Sequence, residues 1–118
     1  MSLARRASAE FAGTGLLVAA VVGSGIAAAR LSPHDVGLQL LENAIATALA
    51  LGALILMFGP VSGAHFNPVV SAVDWWLGRR ARAGLTGREL TGYVVAQVLG
   101  AIAGVILANL MFGLRAVA

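Results

Sequence analysis

Three stretches of this chain are long, apolar and free of charge: residues 11–29, 43–64 and 91–114, with 19, 22 and 24 residues. About 20 residues of α-helix cross a hydrocarbon core ~30 Å thick. All three stretches therefore qualify as membrane spans, expected over about 8–29, 37–58 and 89–113. The rest of the chain fits that constraint. Only 11% of its 118 residues are charged, 59% are hydrophobic, and the mean hydropathy is +0.90. A soluble domain carries charge on roughly 25% of its residues. A surface this poor in charge must face lipid, so the expected class is an all-α membrane protein. The first stretch is too long for the core of a cleaved signal peptide, about 7–15 residues, although it ends on the small residues Ala27, Ala28 and Ala29.

All eight basic residues are arginine, and there is no cysteine. The missing cysteine excludes disulfides and thiolate metal sites. In a membrane protein the basic balance is first a topology signal, because arginine collects on the cytoplasmic side. No nucleic-acid partner is expected. With three crossings, Arg5, Arg6, Arg79, Arg80, Arg82 and Arg88 fall on one side, and Arg30 and Arg115 on the other. The N-terminus is therefore expected in the cytoplasm, with the chain multi-pass in the plasma membrane.

Between the second and third spans lies a fourth apolar piece, about 61–78, too short and too interrupted to cross. Non-helical backbone is tolerated at membrane depth only inside protein or beside a watery cavity. The piece is therefore expected to dip in and return. Asn67-Pro68 gives it a helix start. Asparagine caps a free backbone N–H, and proline suits the first helical position, where no N–H is needed. A half-helix is expected over about 68–77, stopped by Gly78 with Arg79 and Arg80 at its negative end. Trp75 and Trp76 suit the return to the interface. The small residues Ser62, Gly63 and Ala64 permit an extended approach.

At these residues the chain resembles a known family. SGAHFNPVVS at 62–71 is similar to the first signature loop of the major intrinsic proteins, the aquaporins and glycerol facilitators. AEFAGTGLLV at 9–18 resembles the start of that family's first helix, and YVVAQVLGAIAG at 93–104 its third. The resemblance implies one repeat of that fold: three transmembrane helices plus a re-entrant half-helix. It also implies passive passage of water and small uncharged solutes, with no cofactor and no metal. The Asn67 amide would donate to a passing solute, and the carbonyls of Gly63, Ala64, His65 and Phe66 would accept from it. His65 would border the pore. Glu10 and Gln97 would hold the loop from behind, although Glu10 also suits a headgroup position at the edge of its span. The half-helix N-terminus would repel cations.

Two departures stand out. Val69 occupies the place where the family has alanine, which is expected to shift the contact between signature loops. Thr47, twenty positions before Asn67, occupies a constriction position where bulky residues are usual. A wide and rather polar filter is expected, passing glycerol-sized solutes or neutral metalloid acids such as arsenite.

A complete family pore has two such repeats in opposite orientation, and this sequence has one signature Asn-Pro. It would be a fragment, pair with a separately made second half, or assemble with a second copy of itself. An accessory role beside a full-length channel is the other reading. An enzyme is not expected. His34 and His65 fall on different sides of the spans, and no HExxH or GxSxG pattern occurs. Small residues at four-residue spacing, Gly15, Ala19 and Gly23 in the first span and Gly92, Ala96, Gly100, Gly104 and Ala108 in the third, fit close helix packing. Asp35, Glu42 and Glu89 look like solvated end charges, and Asp74 has no assigned role.

Overall fold

Every helix in this chain starts at a side chain that takes up a free backbone N–H. Ser2 accepts from Arg5, Asp35 from Leu38, Asn67 from Val69 and Thr86 from Glu89. Such caps satisfy donors that no helix can pair within itself. The computed structural model describes residues 1–118. Its four helices are α1 (Leu3–Leu31), α2 (Val36–Ser62), α3 (Pro68–Gly78) and α4 (Gly87–Met111). α1, α2 and α4, of 29, 27 and 25 residues, are each long and apolar enough to cross a membrane. α3 has 11 residues. At 1.5 Å per residue it reaches only about 16 Å.

α2 continues four residues past the expected end of its span, running through Pro60 to Ser62. A proline normally breaks a helix by removing one N–H and crowding the preceding turn. Here it lies in the last turn, where little helix remains to disrupt. The end is closed by Gly63, which adopts φ 88° and donates its N–H to the Gly59 carbonyl at 2.9 Å.

α1 and α4 run parallel and in contact along their length. A constant offset of 89 residues joins Leu3 to Gly92, Phe11 to Gly100, Gly15 to Gly104, and Phe112 to Gly23. The steps are multiples of four, so the ridges that meet are the i±4 rows, the geometry of small-residue membrane crossings. A methyl on Gly104 would sit 2.3 Å from the Gly15 carbonyl oxygen, and one on Gly100 2.4 Å from that of Phe11. Only bare backbone fits. α2 packs on α1 alone, and α3 on α4 alone. Asn43 pins α2 by donating to the Val21 carbonyl at 2.8 Å and to Ser24 Oγ at 2.9 Å. The faces of α2 and α3 that flank the signature loop are left open.

The acidic side chains do more than end a helix. Glu89 completes a capping box with Thr86 and also pairs with Arg6 across to α1. Asp35 caps α2, and Glu42 accepts from Ser32 Oγ at 2.5 Å. Asp74 accepts from the Leu85 N–H at 2.9 Å and so folds the 79–86 connection back under α3. Because α1 and α4 are parallel, six arginines gather at one end. Arg30 and Arg115 mark the other, where Arg30 donates to the Phe112 carbonyl at 2.9 Å. Removing the cap hydroxyl with Thr86→Ala is expected to cost about 1 kcal/mol. Thermal unfolding in detergent, followed by circular dichroism, checks this.

Candidate functional site

The chain leaves α2 at Ser62 and enters α3 at Pro68 through five residues that lie outside any helix. Ala64 and Phe66 adopt φ 53° and 56°. Left-handed backbone is unfavourable for residues with a Cβ, so the loop needs outside support. Most of that support is one carboxylate. Glu10 of α1 is 0% exposed and receives four donors. Its Oε1 accepts from the Phe66 N–H at 2.8 Å and from Gln97 Nε2 at 2.8 Å. Its Oε2 accepts from Ser62 Oγ at 2.5 Å and from the His65 N–H at 3.2 Å. A carboxylate only accepts, so four converging donors suit it.

Gln97 of α4, 1% exposed, gives its second proton to Ser71 Oγ at 2.9 Å. Ser71 also meets His65 Nδ1 at 2.9 Å. One polar cluster thus joins α1, the loop, α3 and α4. It also sets the height of α3. Ser71 lies level with Gln97, which is the eleventh residue of α4 counted from Gly87. Asn67 is one turn, about 5.4 Å, beyond that. The N-terminus of the half-helix therefore stands level with the middle of α4.

Both N–H groups of the loop centre point back at Glu10. The carbonyls of Gly63, Ala64, His65 and Phe66 accept no hydrogen bond from the chain. Asn67 is oriented by its cap. Its Oδ1 is committed to the Val69 N–H at 2.8 Å, which leaves the Nδ2 protons free on the exposed side. The Phe66 ring points the other way. It is 5% exposed, lies edge-on to Phe58 at 6.1 Å between ring centroids, and fills the space beside Gly13. A methyl on Gly13 would sit 2.0 Å from that ring. Gly13→Val is therefore expected to expel the ring and cost about 1–3 kcal/mol. A lowered midpoint of thermal unfolding in detergent checks this.

The loop residues, Glu10 and Gln97 come together in one place. Pro68 opens α3 at its first position. Val69 is 67% exposed, so its extra bulk stands on the open face. Thr47 lies in the middle of α2, away from this cluster. Its hydroxyl oxygen is buried with no hydrogen-bond partner, so it offers no polar group to the open face.

Three hydroxyls whose bonds the sequence does not announce join the cluster. Ser62 and Ser71 carry hydroxyls into the cluster, and Tyr93 of α4, 0% exposed, donates its O–H to the Ser62 carbonyl at 2.6 Å. The available signal was helical spacing: Tyr93 and Gln97 are four residues apart, as are Asn67 and Ser71, so each pair shares a face. No group of three or more acidic or histidine side chains is placed to hold a metal ion.

Comparison with known proteins agrees with this architecture. Residues 1–117 match the sequence profile described as Major intrinsic protein. The aquaglyceroporin AqpS of Rhizobium meliloti is 56% identical over 112 residues, covering 95% of this chain and 46% of that protein. The probable aquaporin AqpM of Archaeoglobus fulgidus is 38% identical over 121 residues, covering 91% and 47%. The propanediol uptake facilitator PduF of Citrobacter freundii is 34% identical over 112 residues, covering 95% and 39%. The chain spans about half the length of the curated relatives it matches, or somewhat less. With three apolar spanning helices and a loop of this form, the chain is a multi-pass membrane protein that belongs to the major intrinsic protein family.

Proposed function

We propose that this chain forms one wall of a transmembrane channel for water and small uncharged solutes. One observation carries the reading. Residues 63–66 have all four N–H groups tied down and all four carbonyls without a partner in the chain, and the next residue, Asn67, has a free amide NH₂. A passing hydroxyl group would exchange its water partners for these acceptors and this donor. A solute that cannot make those bonds loses hydration without return. Cations are disfavoured because the positive end of α3 points at the path.

The path is completed from the open side, where α2 and α3 expose Ile55, Leu56, Val69, Val70 and Val73. A second half of similar fold and opposite orientation fits there, since inverted repeats place the site at their interface. It comes from another segment or chain, or from a further copy of this one inserted the opposite way, against its own arginine bias. With its hydroxyl turned inward, Thr47 leaves the constriction wide rather than polar. Glycerol-sized solutes and neutral arsenite then pass as well as water. The arginine-rich end lies in the cytoplasm, and the chain sits in the plasma membrane.

Proteoliposomes test the reading. The chain, alone or with a second half, should carry water, glycerol and arsenite, and Asn67→Leu should reduce all three about tenfold or more, as loss of an obligatory polar partner implies. Flux of water alone would contradict the wide constriction. No flux in any assembly would leave a non-conducting fragment or an accessory subunit.

A further inference from the structure

We propose that Tyr93 is a positioning residue for the signature loop and so helps set which solute the pore admits. The proposal rests on the channel reading above. In a helix that continued, the Ser62 carbonyl would accept from the Phe66 N–H. Here that N–H goes to Glu10 instead. Tyr93 replaces it, giving its single hydroxyl proton to the Ser62 oxygen at 2.6 Å. The hydroxyl oxygen in turn accepts from Arg6 Nε at 3.2 Å, which fixes the direction of the O–H. Arg6 is itself held by Glu89.

Ser62 is thus gripped at both ends, by Tyr93 at its carbonyl and by Glu10 at its hydroxyl. The next residue is Gly63, the first of the four whose carbonyls have no partner in the chain. The Tyr93 ring also meets the His65 ring edge at 5.3 Å between centroids, with 60° between planes. One side chain therefore fixes where the loop starts and where its imidazole lies. It does so without facing the path, since it is fully buried. A loop released at Ser62 would let the carbonyls spread and would favour the larger solute.

Two variants separate this from simple packing. Tyr93→Phe keeps the ring and its contact with His65 and removes only the hydroxyl. Arg6→Lys keeps the charge facing Glu89 and removes the Nε donor that orients the hydroxyl. Amide hydrogen exchange of the full chain in detergent is read at residues 63–66 and, as an internal reference, at 100–104 of α4. Both variants should exchange roughly fivefold to tenfold faster at the loop, with the reference unchanged. In the completed pore, the ratio of glycerol to water flux should rise severalfold in both. Unchanged loop exchange in Tyr93→Phe overturns the assignment, with or without flux. Equal acceleration at loop and reference also overturns it, because that marks general loosening. Faster loop exchange with an unchanged flux ratio overturns the selectivity role. Faster loop exchange in a chain that conducts nothing supports the positioning and faults only the channel reading. Should Tyr93→Phe not fold, Arg6→Lys alone decides by the same readings.

Discussion

Glu10→Leu is expected to release the signature loop and destabilise the chain by about 3–5 kcal/mol. The change removes the acceptor for two backbone N–H groups, one serine hydroxyl and one of the two amide protons of Gln97. Each donor left buried and unpaired costs roughly 1–3 kcal/mol. The sum is lower than four such costs, because the freed loop can turn some donors to water. Ala64 and Phe66 would then lose the main support of their left-handed backbone. Glu10→Gln makes a sharper comparison, since it keeps the shape. Its amide retains one accepting oxygen but turns an NH₂ toward two of the donors, so about half the loss is expected. Thermal unfolding in detergent ranks the three proteins: native chain first, glutamine second, leucine last. Equal midpoints for all three would mean that the carboxylate does not hold the loop.

The second large effect lies at the α1–α4 crossing. Gly104→Leu is expected to cost about 3 kcal/mol or more, at the upper end for overpacking. The first carbon of any side chain there would come within 2.3 Å of the Gly15 carbonyl oxygen. Backbone cannot rotate aside as a flexible side chain can, so the two helices must separate. Separation is costly because in lipid these helices are held by close van der Waals contact, with no hydrophobic drive to help. It also carries Gln97 away from Glu10, so the loop loosens too. Gly52→Ala is the control. Nothing lies within 4 Å of a methyl at that position, and alanine favours a helix by about 0.5–1 kcal/mol over glycine. Unfolding midpoints should therefore move in opposite directions. A harmless Gly104→Leu would show that the two helices do not touch backbone to backbone.

What could be read in the sequence was what a bilayer and local chemistry dictate. Uncharged runs of 19 to 24 residues can do little else than span, and Asn67-Pro68 starts a helix through bonds that reach only two residues ahead. The small-residue steps of α1 and α4 were legible as packing for the same reason: a four-residue period belongs to one helix. The long-range partners were not legible. Tyr93 finds Ser62 31 residues away and Arg6 87 residues away. Asp74 binds a backbone N–H, which no residue type marks. Glu89 looked like a solvated charge because Arg6 reaches it only once α1 and α4 lie parallel. The extra turn of α2 was hidden by Pro60, whose breaking effect depends on how much helix follows it. Which way the Thr47 hydroxyl turns depends on rotation about a single bond, which the residue type does not mark; here its oxygen is buried without a partner.

The half-helix stopping beside water is the claim on which the rest stands. The chain has no cysteine, so single cysteines can be placed without background. In proteoliposomes, the rate at which aqueous silver ion modifies His65→Cys and Asn67→Cys can be compared with that at Leu99→Cys and Leu107→Cys, on the outer side of α4. Fast modification at 65 and 67, slowed by glycerol, with little at 99 and 107, is the expected result. Cysteines at 65 and 67 as protected as those at 99 and 107 would contradict it.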